Sequence, residues 1–364
     1  MTEGTNIPHA GWPPIVPRAI DRLRGPAKGR WPHIAAAEAL SGRKMIALAE
    51  LAKSVLPTDE GAFVVFGSLA RSEFTIGSDL DWAVLIDGRA DSGHLEIVQR
   101  LCADLELEFK RPGPTELFGG LVFSHELIHA IGGDEDSNKN MTRRLLLLLE
   151  SAPIPATGSE AVHNRIVQGI LYRYVEEDAS FLDPQDPARR VPRFLLNDVV
   201  RFWRTMAVDY ANKFRSRSGQ GWALRNIKLR MSRKLLFVSG LFMCLSCKLL
   251  PPTKIDRNIQ SQELVDFLRE WTRRAPLESL ALVIEKYAPS LAADVFDSYD
   301  SFLELLNDAP RRESLKDLSP EAAYKDESFL RARALSDTFD RALRKLLFDS
   351  DRDIADLVMQ YGVF

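Results

Sequence analysis

Asp79 and Asp81 are separated by one residue at the start of an apolar run, Asp79 to Asp87 (DLDWAVLID). An extended chain alternates its side chains with period two, so both carboxylates fall on one face. Two carboxylates a few ångströms apart repel unless a cation sits between them. Mg²⁺, or Mn²⁺, suits such oxygen ligands and usually shares them with substrate phosphates. Ten residues before Asp79 stands Gly67-Ser68, directly after the apolar run Gly61 to Phe66 (GAFVVF). Glycine lets a backbone approach a phosphate closely, and the N–H groups of a following helix start can hold an anion. A phosphate cradle facing a carboxylate pair is the equipment for nucleotidyl transfer from an NTP, ATP included.

Elements must hold these residues in place. Ile34 to Leu56 reads as a helix rich in Ala and Leu, ended by Pro57. Gly61–Phe66 and Asp79–Asp87 read as buried strands, with a loop and a short helix between them. Residues 92–104 read as a helix. Leu105 to Lys110 alternates apolar and polar residues and predicts a third strand. A helix over 140–151 follows, and Pro153 and Pro155 mark a domain boundary. Beyond residue 160 the patterns are helical, in segments near 160–180, 192–215, 222–250, 260–287, 291–307, 327–348 and 350–360. The expected fold class is α+β: a small mixed β-sheet domain with flanking helices, then a larger all-α domain. The expected divisions are an irregular, Pro/Gly-rich arm (1–33), a catalytic domain (34–155) and a helical domain (156–364).

The segment Phe66 to Asp87 resembles the DNA polymerase β-like nucleotidyltransferase superfamily. Phe66-Gly67-Ser68, ten residues and Asp79-Leu80-Asp81 match the family pattern in order and spacing. Arg71, Glu73 and Ser78 fit its extended form, which looks like the bacterial uridylyltransferase-like and minimal branch. The resemblance implies that Asp79 and Asp81 bind two Mg²⁺ ions. It implies that Gly67 and Ser68 contact the β- and γ-phosphates, that Arg71 supports the phosphates or the loop, and that Ser78 joins the nucleotide site. A third carboxylate on a neighbouring strand is also implied. Glu106 and Glu108 share a face of the expected third strand, and Glu108 is the preferred candidate.

From Arg189 to Lys234 there are thirteen Lys/Arg against Asp198 and Asp209, a net +11 in a chain whose total is −3. Aromatic residues interleave with these cations. Asn197, Arg201 and Arg204 recur at helical spacing, and Lys228 lies on the next helix. By resemblance, Arg201, Arg204 and Lys228 are candidate triphosphate ligands. The same charge suits an RNA backbone or tRNA 3′ end. The acceptor is therefore expected to be a macromolecule, protein or RNA. A regulatory or toxin–antitoxin setting is compatible with this, as is a non-catalytic NTP-binding regulator.

A competing motif is His125-Glu126-Leu127-Ile128-His129, the HExxH pattern of zinc proteases, with Glu150 as a conceivable third ligand. Gly132-Gly133 leaves it a very short helix, and the expectation for both histidines is partly buried packing. All six histidines lie at or before His163. A HEPN ribonuclease motif, which needs an Arg and a downstream His, therefore has no place in the helical domain. Three cysteines do not make a disulfide framework, and Cys244 and Cys247 are read as core residues. No signal peptide is evident. The longest apolar stretch, Leu235 to Cys247, is short of the about 20 residues that a bilayer needs. The expectation is a cytoplasmic chain without a membrane partner.

Overall fold

The computed structural model describes residues 18–25, 29–52, 60–110, 112, 117–155, 157–179, 191–216, 219–250 and 261–362. Helices α1 (Ala19–Arg24) and α2 (Pro32–Ala52) lead into strand β1 (Gly61–Phe66). Then come α3 (Gly67–Ala70), β2 (Trp82–Ile86), α4 (Gly93–Leu105), β3 (Leu121–Phe123), α5 (Ser124–Ile128), α6 (Asn138–Leu149) and β4 (Ser151–Pro153). All later elements are helices. These are α7 (Ser159–Ala179), α8 (Arg193–Ser216), α9 (Trp222–Lys228), a π-helical turn (Leu229–Arg233), α10 (Lys234–Leu249), α11 (Ser261–Thr272) and α12 (Pro276–Tyr287). They continue with α13 (Ala292–Asn307), α14 (Ala309–Asp317), α15 (Pro320–Ala323), α16 (Glu327–Phe348) and α17 (Arg352–Gly362). The class is α+β, as the sequence predicts.

The four strands form one mixed sheet in the order β3-β2-β1-β4. β1 runs antiparallel to β2 and to β4, while β2 and β3 are parallel. Every residue of β1 and β2 is buried, because helices cover both faces. Ala62, Val64, Phe66, Ala83 and Leu85 face α6, α7 and the helical core. Phe63, Val65, Trp82, Val84 and Ile86 face α2 and α4 through Leu48, Ala49 and Leu101. The first of these clusters runs without a break from the sheet into α8, α10, α12, α13 and α16, so the packing is continuous across residue 155.

The strand expected over 105–110 does not form. Val98, Leu101 and Leu105 are buried at helical spacing, and they carry α4 on to Leu105. Residues 106–108 then turn, with Phe109 N–H donating to the Leu105 carbonyl at 2.8 Å. Leu107, counted on the apolar face of that strand, is 85% exposed. The strand beside β2 is instead the three-residue β3. β4 lies in the Pro153 region read as a boundary. The arm expected over 1–33 contains a docked helix: the N–H groups of Ala19 and Ile20 donate to the Glu278 carboxylate. Residues 1–17 and 26–28 of it lie outside the described residues, as does the Arg189–Arg190 start of the basic segment.

Candidate functional site

The β1–β2 ladder continues one pair past the strands, with Phe66 N–H donating to the Asp81 carbonyl at 2.8 Å. This puts Gly67 against Asp81. Gly67 has φ +65°, and a Cβ there would lie 2.9 Å from Asp81 Oδ2. Both the left-handed backbone and the close approach call for glycine. The short α3 begins at this residue, with Ser68 next in line.

Leu80 is buried in the α2/α4 core, as are Trp82 and Val84 at the same parity. Asp79 and Asp81 therefore point to the other face, toward the helical half of the chain. Asp81 is half-buried and Asp79 is exposed. Loss of water pushes the Asp81 carboxyl up to about 6, with Glu150 and Asp79 adding to the effect and Arg233 and Lys228 opposing it.

Behind this pair lies a buried ionic chain. Arg71 Nε donates to Glu73 Oε2 at 2.9 Å, and Arg71 Nη1 is bonded to Glu150 Oε2. Glu150 Oε1 accepts from Arg233 Nη1 at 2.6 Å. Burial alone would raise the Glu150 carboxyl, but Arg233 and Arg71 outweigh it and hold it below the usual range. Burial raises Glu73 against the pull of Arg71, and the Tyr299 hydroxyl lies beside it. Glu150 thus joins the end of α6, the loop after β1 and the π-helical turn.

That turn explains how two cations reach one site. In an α-helix, residues five apart point about 140° away from each other. In a π-turn, the i to i+5 hydrogen-bonding pattern makes them neighbours. Lys228 precedes the turn and Arg233 ends it, five residues on, and both act on Asp81. Lys228 is half-buried, and loss of water together with Arg312 and Arg233 lowers it to about 8, against the pull of Asp79 and Asp81. Arg312, on α14, is buried over the loop before Asp79, with Nη1 donating to Thr75 Oγ1 at 3.3 Å.

Gly67, Asp79, Asp81 and Lys228, all expected from sequence, therefore lie together, with Ser68 next to Gly67 in the chain. Arg71 lies behind the loop as its ionic support. The Ser78 hydroxyl is bonded inside its own turn, 3.1 Å from Thr75 N and 3.0 Å from Thr75 Oγ1. Glu106 and Glu108 sit exposed in the turn after α4 and not on a strand beside Asp81. Arg201 donates to Asn138 Oδ1 at 2.8 Å. Asn138 starts α6 and Glu150 follows its end, so the residue that Arg201 holds is about 18 Å from Glu150 along that helix. Arg204 is exposed on α8.

His125 and His129 are exposed on and just after the five-residue α5, with ring centroids 4.8 Å apart, and not partly buried as expected. Glu150, the conceivable third zinc ligand, is held by two arginines. Among the described residues, no group of three or more His, Cys, Asp and Glu side chains converges as a metal site. Cys244 and Cys247 are buried in α10, where burial raises both thiols.

Arg233, Arg312 and the ionic role of Glu150 were not legible in the sequence. Spacing at 3.6 residues pairs Lys228 with residues three or four away, not five. Arg312 stands in a polar helix 237 positions from its Thr75 partner. Glu150 follows a run of five leucines and carries no motif.

Residues 33–126 match the family described as "putative nucleotidyltransferase DUF294". This segment belongs to the nucleotidyltransferase superfamily. The matched span runs from the start of α2 into α5 and contains the whole Gly67–Asp81 loop. Glu150, Lys228, Arg233 and Arg312 lie outside it. No curated protein matches the chain. Among the described residues, no helix is long and apolar enough to cross a membrane.

Proposed function

We propose that the protein is a metal-dependent nucleotidyltransferase that moves NMP from an NTP to a hydroxyl of a macromolecule, a protein side chain or an RNA 3′ end. The observation that carries this reading is the shared face of Asp79 and Asp81, opposed by Lys228 and Arg233. The acceptor oxygen attacks the α-phosphorus, and the bond to the β-phosphate breaks to release pyrophosphate. Gly67 and Ser68 line one side of the phosphates and Lys228 the other. Two carboxylates with one pushed up to about 6 fit a divalent cation whose remaining ligands are phosphate oxygens and water. Mg²⁺ held there would neutralise charge on the transferring phosphoryl group. Residues 34–155 supply the loop and the carboxylates, and residues 156–364 supply the cations. Arg204 and Arg215, exposed on α8, favour RNA as the acceptor. The compartment this reading implies is cytoplasmic.

A second reading, a non-catalytic NTP-binding regulator, gains support from one feature. Among the described residues, Asp79 and Asp81 are joined by no third carboxylate free of arginine partners. One experiment separates the two. The protein is incubated with Mg²⁺, each of the four NTPs labelled at the α-phosphorus, and tRNA or lysate protein. Label retained on a macromolecule, and absent from an Asp79→Ala/Asp81→Ala variant, supports transfer. NTP binding without retained label supports the regulator.

A further inference from the structure

Arg312 is 5% exposed, yet its guanidinium is poorly matched by acceptors. Nη1 reaches Thr75 Oγ1 at 3.3 Å, and Nε is buried without a hydrogen-bond partner. A buried polar group left unpaired is costly, and more so for a charged one. Arginine presents five N–H donors in a fixed fork matched to carboxylate and phosphate. Here it has one neutral hydroxyl.

Its placement is equally particular. The guanidinium lies flat on Gly77, where an added Cβ would stand 2.5 Å from Nη1 and 2.8 Å from Cζ. The loop is tied down on the same side by Ile76 N–H, which donates to Asn307 Oδ1 at the end of α13 at 3.2 Å. Two residues past Gly77 comes Asp79, the foremost anion acting on Arg312, although no ion pair joins them among the described residues. Lys228 is close enough that Arg312 disfavours its charge. No hydrogen bond or ion pair engages the Lys228 ammonium among the described residues. Two adjacent cations short of anions, at the mouth of a loop that bears two carboxylates, form an incomplete charge arrangement.

We propose that Arg312 and Lys228 form the subsite for the pyrophosphate portion of the substrate, with Arg312 donating to its phosphate oxygens from the C-terminal helices. A polyphosphate supplies the acceptors missing at Arg312 and relieves the repulsion between the two cations. Gly77 is required because any side chain would lift the guanidinium off the loop. This inference rests on the nucleotidyltransferase reading for the identity of the ligand and on the geometry of Arg312 for its place.

The test is calorimetric titration of the full-length protein with inorganic triphosphate in excess magnesium, beside the NMP-transfer assay. The dissociation constant is expected to rise about tenfold or more in Arg312→Gln, since a hydrogen bond to a charged group is being removed. Arg312→Lys should recover part of the loss. Gly77→Ala meets the movable end of a long side chain, so it should keep the fold, measured by thermal melting, while weakening binding severalfold. It decides the matter if Arg312→Gln does not fold. Arg352→Gln, exposed on α17, should change nothing. Values for Arg312→Gln and Gly77→Ala within twofold of the unaltered protein overturn the proposal, as does an unaltered protein that transfers NMP but binds no triphosphate. Arg312-dependent triphosphate binding without any NMP transfer would uphold the subsite and count against the transferase reading instead.

Discussion

Gly67 is the residue with the least latitude in the site, because its backbone and its neighbour both exclude a side chain. Gly67→Ala should cost about 1–3 kcal/mol of stability through the left-handed φ, read by chemical denaturation. It should also weaken NTP binding, because the added methyl displaces the Asp81 carboxylate. Lys228 gives a prediction in pH. Its ammonium is charged below about 8 and neutral above, so affinity for an anionic nucleotide should fall as pH rises through that value. A loss of about tenfold between pH 7 and pH 9 is expected from one charge-assisted contact. Lys228→Arg should flatten the profile, since arginine does not titrate there. A wild-type profile that is already flat would remove Lys228 from the nucleotide site. The motif residues were legible because Gly-Ser and Asp-x-Asp act within one strand–loop–strand unit. That the Ser78 hydroxyl bonds within its own turn is an outcome that spacing does not reveal.

The elements that hold these residues are joined by Glu150, which bridges α6, the phosphate loop and the π-turn. Glu150→Gln would leave Arg71 and Arg233 with an uncharged partner in a buried setting. Breaking one member of such a pair typically costs about 3–5 kcal/mol, and a loss in this range is expected in urea unfolding. NMP transfer should fall as well, because Arg233 would no longer be fixed toward Asp81. A change below about 1 kcal/mol would show that the bridge contributes little. β1 and β2 were legible as apolar runs bounded by Gly and Asp. β3 and β4 were not, since three-residue strands carry no periodicity and exist because long-range pairing supplies their partners. The alternation at 105–110 deceived for the opposite reason. Its Leu105 belonged to the 3.6-residue pattern of α4, and that longer pattern prevailed.

At the scale of the whole molecule, the carboxylates and the cations come from different halves of the chain, held together by one apolar core. A fragment ending at residue 155 would expose Val64, Phe66 and Leu85 to water. It should not unfold cooperatively, which a denaturation curve would reveal. His163 reports on the same junction. It lies on α7 with Nε2 2.8 Å from Ser151 Oγ, which itself donates to the Leu147 carbonyl, so Nε2 carries the proton. Burial lowers this imidazole from its ordinary value near 6.5 to about 4. The unfolded chain therefore binds a proton that the folded chain refuses. The associated stability is present above pH 6.5 and is lost as pH falls toward 4, by about 3 kcal/mol. A His163→Gln variant should lack this slope, and an unchanged slope would assign the acid sensitivity elsewhere. The change from a sheet-bearing part to an all-helical one was legible from the change in periodicity. The assembly of one site from both parts was not, because contacts such as Arg233–Glu150, 83 positions apart, are set by packing.

Nucleotidyl transfer breaks one bond, between the α- and β-phosphates of an NTP. The most direct measurement follows, in one reaction with magnesium, the pyrophosphate released and the α-phosphorus retained on a macromolecular acceptor. Equal amounts of the two are expected, with a fall of about a thousandfold or more in both for Asp81→Asn, in line with several kcal/mol of lost charge stabilisation. Release of inorganic phosphate with a nucleoside diphosphate, or turnover untouched by Asp81→Asn, would contradict this expectation.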